Sequence, residues 1–150
     1  MDNNPLYKQF SLISEYCERL EEANYDSYKL FPPVAEEEIQ RWESDNEAVL
    51  PSGLKNWYLL SNGFDMGSAV TILSLSMLKK SSLVGTNGHD EGFIAGHYIG
   101  DGSMLIADSR GGFYILDHAY NELRGIAFEK FLHENVLERL EECMRDEGLM

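Results

Sequence analysis

The chain has 150 residues, 43% of them hydrophobic, with 26 acids against 12 bases and a formal net charge of −14. That length and apolar content predict one globular domain with a real core rather than a disordered chain. The acidic balance excludes direct binding of nucleic acid, which needs a basic surface. No apolar run reaches the length of a membrane span. The start, Met-Asp-Asn-Asn-Pro, has neither the basic nor the apolar region of a secretory signal, so a cytoplasmic location is expected.

In chain order, residues 6–24 read as an amphipathic helix, because Leu6, Phe10, Ile13, Cys17 and Leu20 recur at steps of four and three. Residues 25–34 form an aromatic connector, with Tyr25, Tyr28 and Phe31 as expected packing anchors before Pro32-Pro33 forbid helix. A second helix runs from about Ala35 to Asn46. Glu36, Glu37 and Glu38 lie in its first turn, where unpaired amides favour negative charge. Ile39, Trp42, Val49 and Leu50 are expected to face the core. Pro51 opens a third helix carrying Leu54, Trp57, Tyr58 and Leu60, with Asn62-Gly63 as a left-handed stop.

Residues 69–73 fit a strand, and residues 74–83 fit a short helix or turn. Residues 85–92 are a loop by composition. Strands follow at Phe93–Ile99, Ser103–Asp108 and Gly112–Leu116, joined by Gly100-Asp101-Gly102 and Ser109-Arg110-Gly111, with a short strand near Glu122–Gly125. Ala127 to Asp146 is a long helix whose inner face holds Phe128, Phe131, Leu132, Val136, Leu140 and Met144. The expected fold is α+β: an antiparallel β-sheet of about four to six strands, covered on one side, with flanking N- and C-terminal α-helices.

The chemistry-bearing residues form no catalytic or metal pattern. His89, His97, His118 and His133 lack helical metal spacing. His97 alternates with Phe93, Ala95 and Ile99, which predicts a packed histidine. Asp101, Asp108 and Asp117 follow no calcium-loop pattern; Asp101 and Asp117 are expected to satisfy turn amides and Asp108 to end a strand. There is no Gly-x-Ser-x-Gly elbow and no phosphate loop with its lysine. Cys17 and Cys143 read as reduced, mostly buried thiols. No catalytic residue, no metal and no cofactor is therefore expected.

Charge is distributed unevenly. Residues 1–50 hold 12 acids and 4 bases, residues 51–100 hold 3 of each, and residues 101–150 hold 11 and 5. Like charges recur at i, i+4 in Glu18–Glu22, Glu43–Glu47 and Glu134–Glu138–Glu142. Each such pair costs about 0.2–0.5 kcal/mol in a helix. Solubility is one reason to retain them, and attraction of a basic protein partner is another.

One ordered series of motifs resembles a known family. Phe31-Pro-Pro-Val-Ala-Glu-Glu-Glu-Ile39 leads to Leu50-Pro-Ser-Gly-Leu-Lys-Asn-Trp-Tyr-Leu-Leu-Ser-Asn-Gly63. Ile99-Gly-Asp-Gly-Ser103, Leu105-Ile-Ala-Asp108 and Phe128-Glu-Lys-Phe-Leu132 follow. Over roughly residues 31–140 the chain resembles the SUKH superfamily, named in part after a yeast cell-wall and glucan-synthesis regulator. Ala35 and Ala127 depart from it at two helix-capping positions.

The resemblance implies an immunity protein that neutralises a cognate toxin by direct occlusion. The toxin expected is a basic protein such as a nuclease. The alternative is a regulatory or scaffolding protein with no toxin partner; a third is an enzyme or small-molecule binder using the sheet face. The protein is expected to be a monomer or weak homodimer. Its partner-binding residues are expected to be Asp65, Asp90, Glu91 and Asp101, acids on or near loops at one end of a rigid sheet. The acidic helices would supply steering.

Overall fold

The computed structural model describes residues 3–23, 28–67, 69–81, 92–98, 102–117 and 122–150. Helix α1 (Tyr7–Glu22) comes first, then strand β1 (Lys29–Leu30), helix α2 (Glu36–Asn46) and helix α3 (Ser52–Tyr58). Strands β2 (Phe64–Asp65) and β3 (Val70–Ile72) lead to a 3₁₀ turn at Leu75–Met77. Strands β4 (Lys79–Ser81), β5 (Gly92–Tyr98), β6 (Ser103–Asp108), β7 (Phe113–Asp117) and β8 (Glu122–Gly125) complete the sheet. The chain closes with α4 (Phe128–Phe131), a π-helical segment (Leu132–Leu137) and α5 (Glu138–Asp146).

The α+β class and antiparallel pairing are as expected, but among the described residues the sheet has eight strands rather than four to six. Its order is β1-β2-β3-β5-β6-β7-β8, with β4 on β5 beside β3. The extra strands are β1, β2 and β4, two or three residues each. Such segments are too short for an alternating pattern to mark them. They become strands only through their neighbours, as when Leu30 pairs Phe64 and Phe64 pairs Ile72.

Three other expectations need correction. His97 is exposed, not packed. The register of β5 on β6 shifts between Ile94 and Gly96, so Ala95 is an extra residue. One extra residue reverses the alternation of faces: Phe93 pairs Ala107, whereas His97 pairs Met104 on the opposite face. Val49 is 55% exposed while Leu50 is buried. The backbone there is extended, bridging Arg110 and donating from Val49 N–H to the Ser109 carbonyl, so successive side chains point opposite ways. Phe31, expected as an anchor, is 41% exposed.

The core lies between the helices and one sheet face. Trp57 is fully buried near its centre, with Phe10, Phe64 and Phe128 at ring-centroid distances of 5.9, 6.3 and 6.4 Å. Phe113 and Phe131 extend the stack from Phe128. The expected α1 residues Leu6, Ile13, Cys17 and Leu20 join this same core, as does the whole expected inner face from Phe128 to Met144. On the other sheet face Ile106 and Leu116 form a smaller apolar cluster with Ile94, Met104, Tyr114 and Leu123.

Neither Ala35 nor Ala127 provides a side-chain cap, as the sequence predicts. The like-charge pairs are partly relieved. Glu43 lies 3.2 Å from Lys55 Nζ and accepts the Leu50 N–H, while Glu47 lies beyond α2 with φ +49°. In the C-terminal helix Lys130 Nζ lies 3.8 Å from Glu134, four residues on, and the π-helical register brings His133 within 3.5 Å of Glu138, five residues on.

Two stability predictions follow from this packing. Trp57→Ala removes the centre of the stack and should cost about 3–5 kcal/mol, read as a large drop in melting temperature. Gly63 has φ +103°, and a Cβ there would sit 2.6 Å from the Ile72 carbonyl oxygen. Gly63→Ala should therefore lower the melting temperature too, by strain and by a backbone clash. A normal melting point for either variant would contradict this assignment.

Burial, followed by the charges of Glu18 and Glu21, pushes the Cys17 thiol up to about 12. An unfolded thiol ionises near pH 8.5. The stability linked to the neutral thiol is therefore complete below about pH 8.5 and is lost as pH rises towards 12. Cys17→Ala removes this dependence. The stability gap between it and the parent protein should narrow between about pH 8.5 and 10.5, measured by urea unfolding.

Candidate functional site

A trench runs along α2. Its larger part, about 610 Å³, is lined by Phe31, Pro32, Pro33 and Val34 on one side and by Thr71, Ile72, Leu73 and Ser74 on the other, with Phe64, Asp65, Asn62 and Glu38 between. A second part of about 310 Å³ shares Glu38 and Asn62 and adds Arg41, Trp42, Asp45, Leu75 and Ser76. The shared residues make the two parts one trench.

Local sequence explains each wall. Pro32 and Pro33 fix φ and carry no N–H, so residues 31–34 cannot join a strand ladder fully. They are held instead by side-chain and single backbone bonds. Phe31 N–H donates to Ser61 Oγ, Val34 N–H to the Tyr58 carbonyl, and Asn62 N–H to the Pro32 carbonyl. The opposite wall is tied by the same residue, since Leu75 N–H donates to Asn62 Oδ1 at 2.9 Å. Tyr58 Oη donates to the Leu73 carbonyl at 2.7 Å, and burial raises that phenol well above its ordinary range. Asn62 thus bridges the trench walls. On α2, Glu38, Arg41, Trp42 and Asp45 follow i, i+3, i+4, i+7 spacing and share one face. Trp42 is half-buried, its ring set edge-on to Phe93 at 4.8 Å.

Of the expected partner-binding residues, Asp65 lines this trench, exposed on β2, with Oδ1 accepting the Gly67 N–H. Asp90, Glu91 and Asp101 lie outside the described residues. Glu38, Asn62 and Arg41 were not singled out as partner-binding. Glu38 reads in sequence as a helix-start charge and Asn62 as a helix stop. The one signal available was the polar i, i+3, i+7 set around Trp42 on α2.

Asp108 and Tyr114 have structural partners. Asp108 ends β6 and is nearly buried, its Oδ1 accepting N–H groups from Arg110 and Gly112 at 2.9 and 2.7 Å. Burial, then the hydrogen bond and charge of Asp108, pushes the Tyr114 phenol up. A Cβ on Gly112 would meet Asp108 Oδ2 at 2.5 Å and Tyr114 Oη at 2.7 Å, so a larger residue there would displace this pair. Asp117 pairs Glu122 at the end of the β7–β8 ladder. Among the described residues no group of three or more His, Cys, Asp or Glu is placed to hold a metal ion. No helix among them is long and apolar enough to cross a membrane.

A model of the SMI1 / KNR4 family (SUKH-1) matches residues 33–139. Among curated proteins, human tubulin polyglutamylase complex subunit 2 is 42% identical over 41 residues. That match covers 27% of this chain and 14% of the human protein. No solved structure matches the chain significantly.

If Asn62 holds the trench open, Asn62→Ala should cost about 1–2 kcal/mol through the orphaned Leu75 amide. Leu75 should also lose its protection in amide hydrogen exchange. Unchanged protection at Leu75 would show that Asn62 does not bridge the walls.

Proposed function

The chain belongs to the SMI1/KNR4 family (SUKH-1), and from that premise we propose that it is a non-catalytic binding protein, an immunity protein that neutralises a toxin by occluding it. The observation that carries the reading is the preformed trench with acids in its lining, on a molecule of net charge −14. The chemistry fits a protein partner better than a substrate, since the trench brings together no nucleophile–base pair of the kind catalysis needs. A basic toxin, such as a nuclease with a positive cleft, would be steered by this charge and held by short-range contacts. The contact set we propose is the loop end carrying Asp65, together with Asp90, Glu91 and Asp101. The site of action is the cytoplasm.

A second reading is a regulatory or scaffolding protein with cellular partners and no toxin. The observation favouring it is the matched human protein, which is named as a subunit of a complex.

Co-purification with the product of the neighbouring gene separates the two. An immunity protein should capture one toxin-like partner and suppress its activity; a scaffold should capture several host proteins and suppress none. For a toxin complex the association rate should fall steeply between about 50 and 500 mM salt, where exposed charges become screened. Asp65→Lys with Asp90→Lys should weaken the complex by about 2–3 kcal/mol, mainly through faster dissociation. Glu138→Lys with Glu142→Lys should slow association and leave dissociation unchanged. Salt-independent association would remove the electrostatic argument.

A further inference from the structure

We propose that the trench along α2 seats an arginine-bearing, extended segment of the partner, an inference that rests on the partner being a protein. Strand addition cannot supply the contact. β3 is already paired on both sides, by β2 and β5, and the facing wall has prolines at 32 and 33. Recognition here must come from side chains of the occupant.

The lining states which side chains. Glu38, Asp45 and Asp65 contribute three carboxylates, against the single guanidinium of Arg41. Arg41 stands three residues after Glu38 and four before Asp45, yet no ion pair joins it to either among the described residues. Asp65 uses one oxygen on the Gly67 N–H, which leaves the other for a ligand. An anionic or nucleotide occupant would meet net negative charge. A wholly apolar one would cover these carboxylates and strip their water without replacing it.

Arginine satisfies both parts of the surface. Its planar fork pairs carboxylates bidentately, and its flat, weakly hydrated cation stacks on aromatic faces. Phe31, 41% exposed, and half-buried Trp42 supply such faces in the two parts of the trench. Pro32, Pro33 and Val34 give the aliphatic stem an apolar wall. Glu38 belongs to both parts, so two side chains of one extended segment can be placed along the trench with Glu38 between them. The Asn62 bridge fixes the distance between the walls before anything binds, which lowers the ordering cost of association.

The test uses a short capped peptide with two arginines spaced by glycine, its citrulline analogue of equal shape and no charge, and the full-length protein labelled for amide NMR. The arginine peptide should shift amides at Glu38, Trp42, Asn62, Asp65 and Leu73. The citrulline peptide should bind at least about tenfold more weakly, as should the arginine peptide to Glu38→Gln with Asp65→Asn. That variant should melt within a few degrees of the parent, since Asp65→Asn keeps the Oδ1 acceptor for the Gly67 N–H and Glu36 and Glu37 still serve the first turn of α2. Glu138→Gln with Glu142→Gln should bind within about twofold of the parent.

Equal affinity for citrulline, shifts confined to α1 and α5, or no binding at millimolar peptide would each overturn the proposal. The groove and the wider reading fail separately. A neighbouring toxin captured equally by parent and Glu38→Gln/Asp65→Asn overturns the groove and supports the immunity reading. Arginine-dependent shifts in the trench with no toxin captured support the groove and overturn the immunity reading.

Discussion

The fold turns on the position of Trp57. Its ring closes the space between α1, the sheet and the C-terminal helix, through Phe10, Phe64 and Phe128. Its Nε1–H donates to the Gly63 carbonyl, which also accepts from Ser61 Oγ at 2.6 Å. A buried indole must place that N–H on an acceptor. Satisfying it here fixes the chain path just after α3. That path brings Asn62 against Pro32 and Leu75, and so sets the trench. Core packing and the candidate binding surface therefore share one short segment, Trp57 to Phe64, and a change in it would be felt in both.

The same segment explains why the trench is preformed. Its walls come from parts of the chain with little regular structure of their own: a Pro-Pro connector and the stretch from Leu73 to the 3₁₀ turn. Neither would hold its shape as an isolated loop. Each is fixed by a bond to residues 58–62, whose own positions are set by the core. A mobile recognition loop would pay ordering entropy on binding, whereas this arrangement has met that cost on folding.

The elements legible in sequence were those whose signal is local and repeated. The six inner-face residues from Phe128 to Met144 and the α1 stripe recur at helical spacing, and each lies in the core or against it. Strand β6 was read to its exact bounds because six residues suffice for a pattern and a turn. The failures share one cause. β1 and β2 exist only through tertiary pairing, and the parity of His97 depends on a one-residue bulge decided by packing against β3 and β6. The π-helical register at Leu132–Leu137 was equally invisible, because its buried positions still look helical.

The candidate site was partly legible for a related reason. Asp65 could be named because an acid beside a predicted turn is a local feature. Glu38, Asn62 and Trp42 could not be grouped with it, since they meet only when α2 packs across the start of the sheet. Their sequence roles were also occupied by ordinary explanations: a first-turn glutamate, a helix stop and a core aromatic. Charge separates the two scales of this surface. The helical acids spread over α1 and α5 act at the range of a Debye length, about 8–10 Å in physiological salt, and discriminate only by sign. The carboxylates of Glu38 and Asp65 stand beside aromatic and proline faces, where geometry as well as charge is imposed on a partner. If the partner is a basic protein, as proposed above, specificity for it among other basic proteins would lie at that second scale, because every basic protein satisfies the first.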